Sequence, residues 1–360
     1  MCAAPTKGRS LGRVIRLDAP GVVTVAEYPD AQPAAGQVRV RTALSGISAG
    51  TELTQYRGTN PYLERRWDGA HRVFVDGVPP LTYPLDTWGY QEVGRVDAVG
   101  PDVDVVAVGT VVWGAWSHRS SVVLDADAMA QRLLPEGVPA RLGVFARIGA
   151  VALNAVIDGD IQLGEHVAVF GAGVPGLLAA QLARLSGGRV IVVDRVPRRL
   201  ALAAELGADH CVDVNEGDAA TSIRRLTGGR GADVSIELTG SYAGLHEAVR
   251  ATAYNSRVVC SGFLQGEGVG LRLGEEFHHN RIAIVCSQTS GIRPDLAHRW
   301  SRDRLEATVI DLLGRRELEA EALISHVLPI ERADEAFALL DSADPEVLQV
   351  ILDFDDGGAE

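Results

Sequence analysis

Gly171, Gly173 and Gly176 stand in GxGxxG order within HVAVFGAGVPGLLAAQLARLSGGRVIVVD, residues 166–194. That spacing suits the pyrophosphate of a dinucleotide. Gly171 permits a tight turn, Gly173 lets the backbone approach a phosphate, and Gly176 lets a helix pack closely on its strand. Val174 and Pro175 then open a helix, where the missing proline N–H is no loss. The helix N-terminus offers unpaired N–H groups and partial positive charge to the phosphates. Asp194 lies 18 residues beyond Gly176, where a carboxylate can accept from a ribose hydroxyl.

These residues need a strand before them and a helix after them. His166–Phe170 is a short, apolar run that reads as a buried parallel strand. Leu177–Leu185 is rich in strong helix formers, and Val190–Val193 is a second buried strand. Alternation continues through residues 197–287, with further strands at His210–Val214, Val234–Leu238, Arg257–Gly262 and Ile282–Ser287. Six strands interleaved with helices predict a doubly wound parallel sheet, a Rossmann domain over 156–291. Residues 1–155 make up the first domain, in which 11–155 read as mostly β, a small irregular barrel, with glycine-rich turns at Gly94–Gly100 and Gly109–Gly114. Residues 55–88 are a long polar and aromatic connection, either a loop over a substrate cleft or a surface insertion. Residues 292–360 return to the first domain through a helix at Arg332–Leu340 and a strand at Val347–Phe354.

The 360 residues carry a formal charge of −13, which argues against nucleic acid or an anionic membrane as partner. No apolar run reaches the roughly 18 residues of a membrane span, and MCAAPTKGRS lacks the apolar core of a signal peptide. A cytoplasmic setting is expected. Cys2, Cys211, Cys260 and Cys286 form no CxxC pair, and the last three sit in apolar runs that predict buried, inert thiols. Lys7 is the only lysine, which excludes Walker-type, Schiff-base and Tyr-x-x-x-Lys chemistry.

Four stretches together resemble the medium-chain dehydrogenase/reductase superfamily, of the zinc alcohol and polyol dehydrogenase kind. They are GQVRVRTALSGIS, GYQEVGRVDAVGPDV, VFGAGVPG with Asp194, and SHVLPIERADEAF. The resemblance covers nearly the whole chain. It implies an α/β fold in which a GroES-like catalytic domain holds an inserted Rossmann domain. It also implies a homodimer through Ile282–Ser287, a small-molecule substrate and a nicotinamide cofactor.

The metal positions depart from that pattern. Ser48 stands where the family's first zinc-binding cysteine falls, Tyr90 where its histidine falls, and Arg147 where its third ligand falls. Hydroxyls are poor zinc donors and a guanidinium repels the ion, so no zinc is expected, and the structural-zinc cysteines are absent as well. Hydrogen-bond donors must then stabilise a substrate oxyanion. Tyr90 is the first candidate. Thr51 is the second, provided that Ala49 is a one-residue insertion, and Ser48 is the third. His118, in a stretch expected to face the cleft, and His278 or His279 could act as acid or base. Glu52, Glu92 and Arg147 could form a charge network, or a structural salt bridge.

Asp194 favours NAD over NADP, although Arg195, Arg198 and Arg199 together could hold a 2′-phosphate. The resemblance places Arg199 at the adenosine ribose, Thr239, Gly262, Phe263 and Leu264 near the nicotinamide, and Gln349 near the pyrophosphate. Three functions fit. The first is a zinc-independent NAD(H) oxidoreductase interconverting a secondary alcohol and ketone on a polyol, cyclitol or sugar-like molecule, in a specialised biosynthetic pathway. The second is reduction of an activated C=C bond, and the third a non-catalytic dinucleotide sensor.

Overall fold

The computed structural model describes residues 11–342 and 344–355, so Cys2 and Lys7 lie outside the described residues. The barrel half begins with an antiparallel pair, β1 (Leu11–Ala19) and β2 (Val22–Pro29). In β3 (Gln37–Gly46), Val38, Val40, Thr42 and Leu44 alternate inward before Ser45 and Gly46 end the strand fully buried. Then come α1 (Thr51–Tyr56) and a small hairpin, β4 (Arg66–Asp68) and β5 (Val73–Val75). β6 (Glu92–Val99), β7 (Val111–Gly114), β8 (Ser121–Asp125) and the short α2 (Ala126–Ala130) follow.

The expected turn at Gly94–Gly100 is therefore mostly strand β6. Gly94 serves close packing there, since a Cβ would stand 2.3 Å from the Arg41 carbonyl oxygen. Residues 55–88 hold the end of α1, the hairpin and a Tyr62–Phe74–Trp67 edge-on aromatic cluster.

A long helix, α3 (Phe145–Gly159), runs through the expected boundary at 155/156. The apolar stretch 140–159 is long enough to cross a membrane, yet most of it is buried inside the fold. It is a core helix that the sequence reading passed over.

The nucleotide half contains β9 (His166–Phe170), α4 (Val174–Leu185), β10 (Arg189–Asp194), α5 (Pro197–Glu205), β11 (His210–Asp213) and α6 (Ala219–Leu226). It continues with β12 (Ala232–Glu237), α7 (Tyr242–Ala251), β13 (Thr252–Cys260) and β14 (Ala283–Cys286). All pairings are parallel, in the order β11-β10-β9-β12-β13-β14. The chain reverses direction across the sheet between β9 and β12, which makes the strand ends there a ligand crevice.

α8 (Arg302–Gly314) then packs on α3. β15 (Ile324–Pro329), α9 (Ala333–Asp341) and β16 (Gln349–Asp353) rejoin the barrel sheet, whose order is β15-β16-β3-β6-β7. One apolar cluster runs from Leu44, Val93 and Trp113 through α3 and α4 to Val234 and Val259. The cysteines correct an expectation: Cys211 and Cys286 are exposed and only Cys260 is partly covered.

Candidate active site

Two constellations lie at strand ends, one in each half. In the nucleotide half, β9 turns at Gly171 with φ +99°, a backbone conformation that disfavours side chains. Gly176 opposes it so closely that a Cβ would stand 1.7 Å from the Gly171 carbonyl oxygen. Gly173 caps α4, and a Cβ on it would meet nothing nearer than the Pro175 ring at 4.0 Å. Val174 and Pro175 form the first turn. The helix thus starts at Val174 with Pro175 in its first turn, as the sequence predicts, and its N–H groups face an open approach.

Asp194 ends β10 and accepts three backbone hydrogen bonds. Oδ2 accepts from Ala172 N–H at 2.6 Å, and Oδ1 from Arg195 and Val196 N–H at 2.7 and 2.9 Å. The acid therefore also braces the glycine turn against the start of α5. Arg195 is exposed. Arg199 reaches the other half, donating from Nη2 to the Val347 carbonyl at 2.8 Å.

The loop after β12 is shaped by Glu237, which the sequence reading missed. Its Oε1 accepts from the Thr239 and Gly240 N–H groups at 2.7 and 3.0 Å and from the Thr239 hydroxyl. Burial pushes its carboxyl up despite those bonds. Gly262 is fixed by the same acid, since a Cβ would stand 2.5 Å from Glu237 Oε2. Phe263 is exposed and Leu264 partly covered. The available signal was one acid in the apolar run VSIEL.

In the barrel half, Ser48, Thr51 and Tyr90 come together past the end of β3. Tyr90 Oη donates to Ser48 Oγ at 2.5 Å. Burial, then the Glu52 charge, pushes the phenol up to about 12, while Ser48, Thr51 and the Arg147 charge pull the other way. The phenol is thus a neutral donor across the physiological range.

His118 does not face the cleft. It is fully buried, edge-on to Trp88 and Phe337. Its Nδ1 lies 2.7 Å from Ser45 Oγ and its Nε2 2.7 Å from Glu52 Oε2. Ser45 Oγ also donates to Glu92 Oε1 at 3.2 Å, and Trp116 N–H donates to Glu92 Oε2 at 2.7 Å. Glu52 Oε1 accepts from Ser48 N–H at 3.1 Å. A buried polar line therefore runs Glu92–Ser45–His118–Glu52 and ends under Ser48. Burial pushes Glu92 up to about 7. Burial opposes charge on His118, but Glu52, by charge and hydrogen bond, and Glu92 raise it overall.

The expected network of Glu52, Glu92 and Arg147 is split. Arg147 pairs instead with Glu306 of α8, Nη1 to Oε1 at 2.9 Å. Gln349, expected beside a pyrophosphate, is 2% exposed and donates from Nε2 to the Ile47 and Val350 carbonyls. Its amide is used to join β16 to the end of β3. His278 and His279 are exposed, with ring centroids 5.4 Å apart.

Ser48, Tyr90 and Arg147 do not fit a catalytic zinc, which needs Cys, His or carboxylate donors. His118 cannot supply one, because both of its nitrogens are engaged. Among the described residues no group of three His, Cys, Asp or Glu forms a metal site. The glycine turn does fit a dinucleotide: a side chain at Gly173 would fill the space where a phosphate approaches.

The model of the zinc-binding dehydrogenase family matches residues 175–301. D-guloside 3-dehydrogenase of Escherichia coli (strain K12) is 31% identical over 335 residues, covering 91% of this chain and 95% of that protein. Two solved structures share the fold across 96% of this chain and 100% of their own, each at 22% identity. One is a Sinorhizobium meliloti 1021 protein bound to NADP, with a TM-score of 0.76. The other is an E. coli CFT073 alcohol dehydrogenase complexed with NADH, with a TM-score of 0.74.

Proposed function

Since this chain belongs to the medium-chain dehydrogenase/reductase superfamily, we propose that it is a zinc-independent, NAD(H)-dependent dehydrogenase. Its substrate is a polyol, cyclitol or sugar-like molecule, interconverted between secondary alcohol and ketone. The observation that carries this reading is the Tyr90–Ser48 hydroxyl pair standing where the sequence pattern of the zinc enzymes puts metal ligands. The 31% identity to a guloside dehydrogenase supports the substrate class. Asp194 supports NAD, because a carboxylate there repels a 2′-phosphate.

The chain's residues divide the work. The Gly171–Gly176 turn and the α4 N-terminus hold the pyrophosphate, and the Glu237-shaped loop with Thr239, Gly262, Phe263 and Leu264 borders the ring end. The nicotinamide, when bound, supplies or accepts hydride. Tyr90 carries one proton at Oη, which goes to Ser48 Oγ in this structure and turns to the substrate oxygen when one is bound. Ser48, itself fixed by Glu52 through its backbone N–H, orients that phenol. Cytoplasmic location and a homodimer through β14, an edge strand with exposed ends, complete the proposal.

The test is turnover of methyl glycosides, cyclitols and acyclic polyols with NAD or NADP, alongside elemental analysis. Activity with NAD, at well under one zinc per chain and unchanged by chelators, is expected. Asp194→Ala should narrow the preference for NADH. Stoichiometric zinc lost together with activity would overturn the metal claim, and preference for NADPH would show that Arg195 and its neighbours set the cofactor.

A further inference from the structure

His118 is fully buried against Trp88 and Phe337, and the reaction assigned to the cleft makes no use of it. An apolar side chain would fill that place without the cost of burying two ring nitrogens. Each nitrogen has a partner at 2.7 Å, Ser45 Oγ for Nδ1 and Glu52 Oε2 for Nε2.

The protons present fix which nitrogen donates to the acid. Imidazole is a stronger base than a carboxylate, so a proton shared between Nε2 and Glu52 sits on nitrogen. Ser45 has a single hydroxyl proton and two neighbours, Nδ1 and Glu92 Oε1. When that proton points to an ionised Glu92, Nδ1 must donate to Ser45, and the ring carries hydrogen on both nitrogens. When Glu92 holds a proton of its own, Glu92 donates to Ser45 and Ser45 turns to Nδ1. Nε2 donates to Glu52 in both arrangements.

Glu52 lies in the first turn of α1 and is itself buried. Its Oε1 reaches back four residues to the Ser48 N–H at 3.1 Å, and Ser48 Oγ accepts from Tyr90 Oη at 2.5 Å. Gly50 has no side chain with which to cap α1, so the turn that carries Ser48 leans on Glu52. Without a donor on Oε2, the buried carboxylate is left half-satisfied and turns to relieve that cost. Ser48 then loses its hold.

We infer that His118 is a positioning residue: its Nε2–H turns Glu52 so that Oε1 holds Ser48, and Ser48 holds the Tyr90 phenol within reach of the substrate oxygen. This rests on the dehydrogenase reading above. His118 touches neither substrate nor cofactor. It sets where the Tyr90 proton stands, and a misplacement of about 1 Å can cost about 10²-fold in rate.

The test compares wild type with His118→Gln and His118→Asn. A glutamine amide N–H falls near the place of Nε2 and an asparagine amide near that of Nδ1, so only glutamine can donate to Glu52. Both variants lose the ring and its packing on Trp88 and Phe337, and their melting temperatures should fall alike. On the glycoside or polyol that turns over fastest, His118→Asn should lower kcat by about 10- to 10²-fold, with KM and the Kd for NADH within a few-fold. His118→Gln should keep most of the rate. Independently of turnover, hydrogen exchange at the Ser48 backbone N–H, followed by NMR, should quicken about tenfold in His118→Asn and little in His118→Gln. In wild type with isotope-labelled histidine, the His118 ring should show a slowly exchanging hydrogen on Nε2, a measurement that needs no variant to fold. Ser48 exchange that follows the Nε2 donor, without turnover of any substrate, would sink the dehydrogenase reading and leave the positioning standing. Equal rates in the two variants, unchanged Ser48 exchange in His118→Asn, or a wild-type ring with hydrogen on Nδ1 alone would overturn the inference.

Discussion

Each half of the molecule places a buried carboxylate beside its site, and the two acids are held in opposite ways. Glu237 bonds to residues two and three positions ahead, Thr239 and Gly240, and among the described residues no ion pair reaches it. Glu52 bonds to Ser48 just behind it, but its second oxygen meets His118, 66 residues away. The nucleotide crevice is thus made from local chain geometry, with glycines and backbone N–H groups as its working parts. The barrel site is made from side chains that meet only after the sheet has closed. Local geometry tolerates little change at any one position, whereas a side-chain network can exchange chemistry one residue at a time.

The largest expected effect strikes the local half. Gly176→Ala puts a methyl group 1.7 Å from a backbone oxygen that has no rotamer to yield. Overpacking of this kind costs about 1–3 kcal/mol where side chains can move, and more where they cannot. Titration with NADH should show no saturable binding, while circular dichroism still reports a folded barrel. Tight NADH binding by this variant would show that the turn is not the pyrophosphate site.

Tyr90→Phe comes next and strikes only the barrel half. Loss of one oxyanion donor typically costs about 10²–10³ in kcat. NADH affinity should not change, and Thr51→Val should cost less. If Tyr90→Phe turns over within a few-fold of wild type, the phenol merely fills space and Ser48 or Thr51 takes the role.

The smallest effect is a pH slope. In the folded chain Glu92 is held up to about 7 against an ordinary 4.5, so the folded state keeps a proton that the unfolded chain releases across that window. Stability should therefore fall as pH rises from about 4.5 to about 7. His118, raised above its ordinary 6.5, has the same sign: its contribution is complete below that value and is lost as pH climbs past its folded pKa. Urea midpoints at several pH values should show this decline in wild type and a shallower one in Glu92→Gln. An equal slope in both would place the titration elsewhere.

The contrast also explains what the sequence could reveal. β9, β10 and the Gly171–Gly176 turn were legible because β-branched runs, glycine spacing and a terminal acid all lie within 29 residues. β14 and α9 were found to within a residue or so for the same reason. The sequence put Ser48, Thr51 and Tyr90 forward as candidates, and Tyr90 and Ser48 do meet past the end of β3. It could not show that His118 turns inward between Ser45 and Glu52, because three separate elements must close around it. Nor could it pair Arg147 with Glu306, 159 positions on. Gly94 read as a turn because nothing local distinguishes a glycine that bends the chain from one that makes room for Arg41. α3 was passed over because its small apolar residues, without clear polar spacing, also suit the β-rich half that precedes it.

The apolar cluster that runs from Leu44 through α3 to Val259 also bears on how such a molecule can diversify. Lineages often change function by exchanging whole modules at exposed joints. Here a cut between the two sheets would strip one side of α3 bare, so neither half is a self-sufficient part to trade. Descent with modification is then steered toward single replacements inside a retained interior. A serine, a tyrosine and an arginine at the three positions where the resemblance expects metal ligands are the kind of record such a constraint would leave.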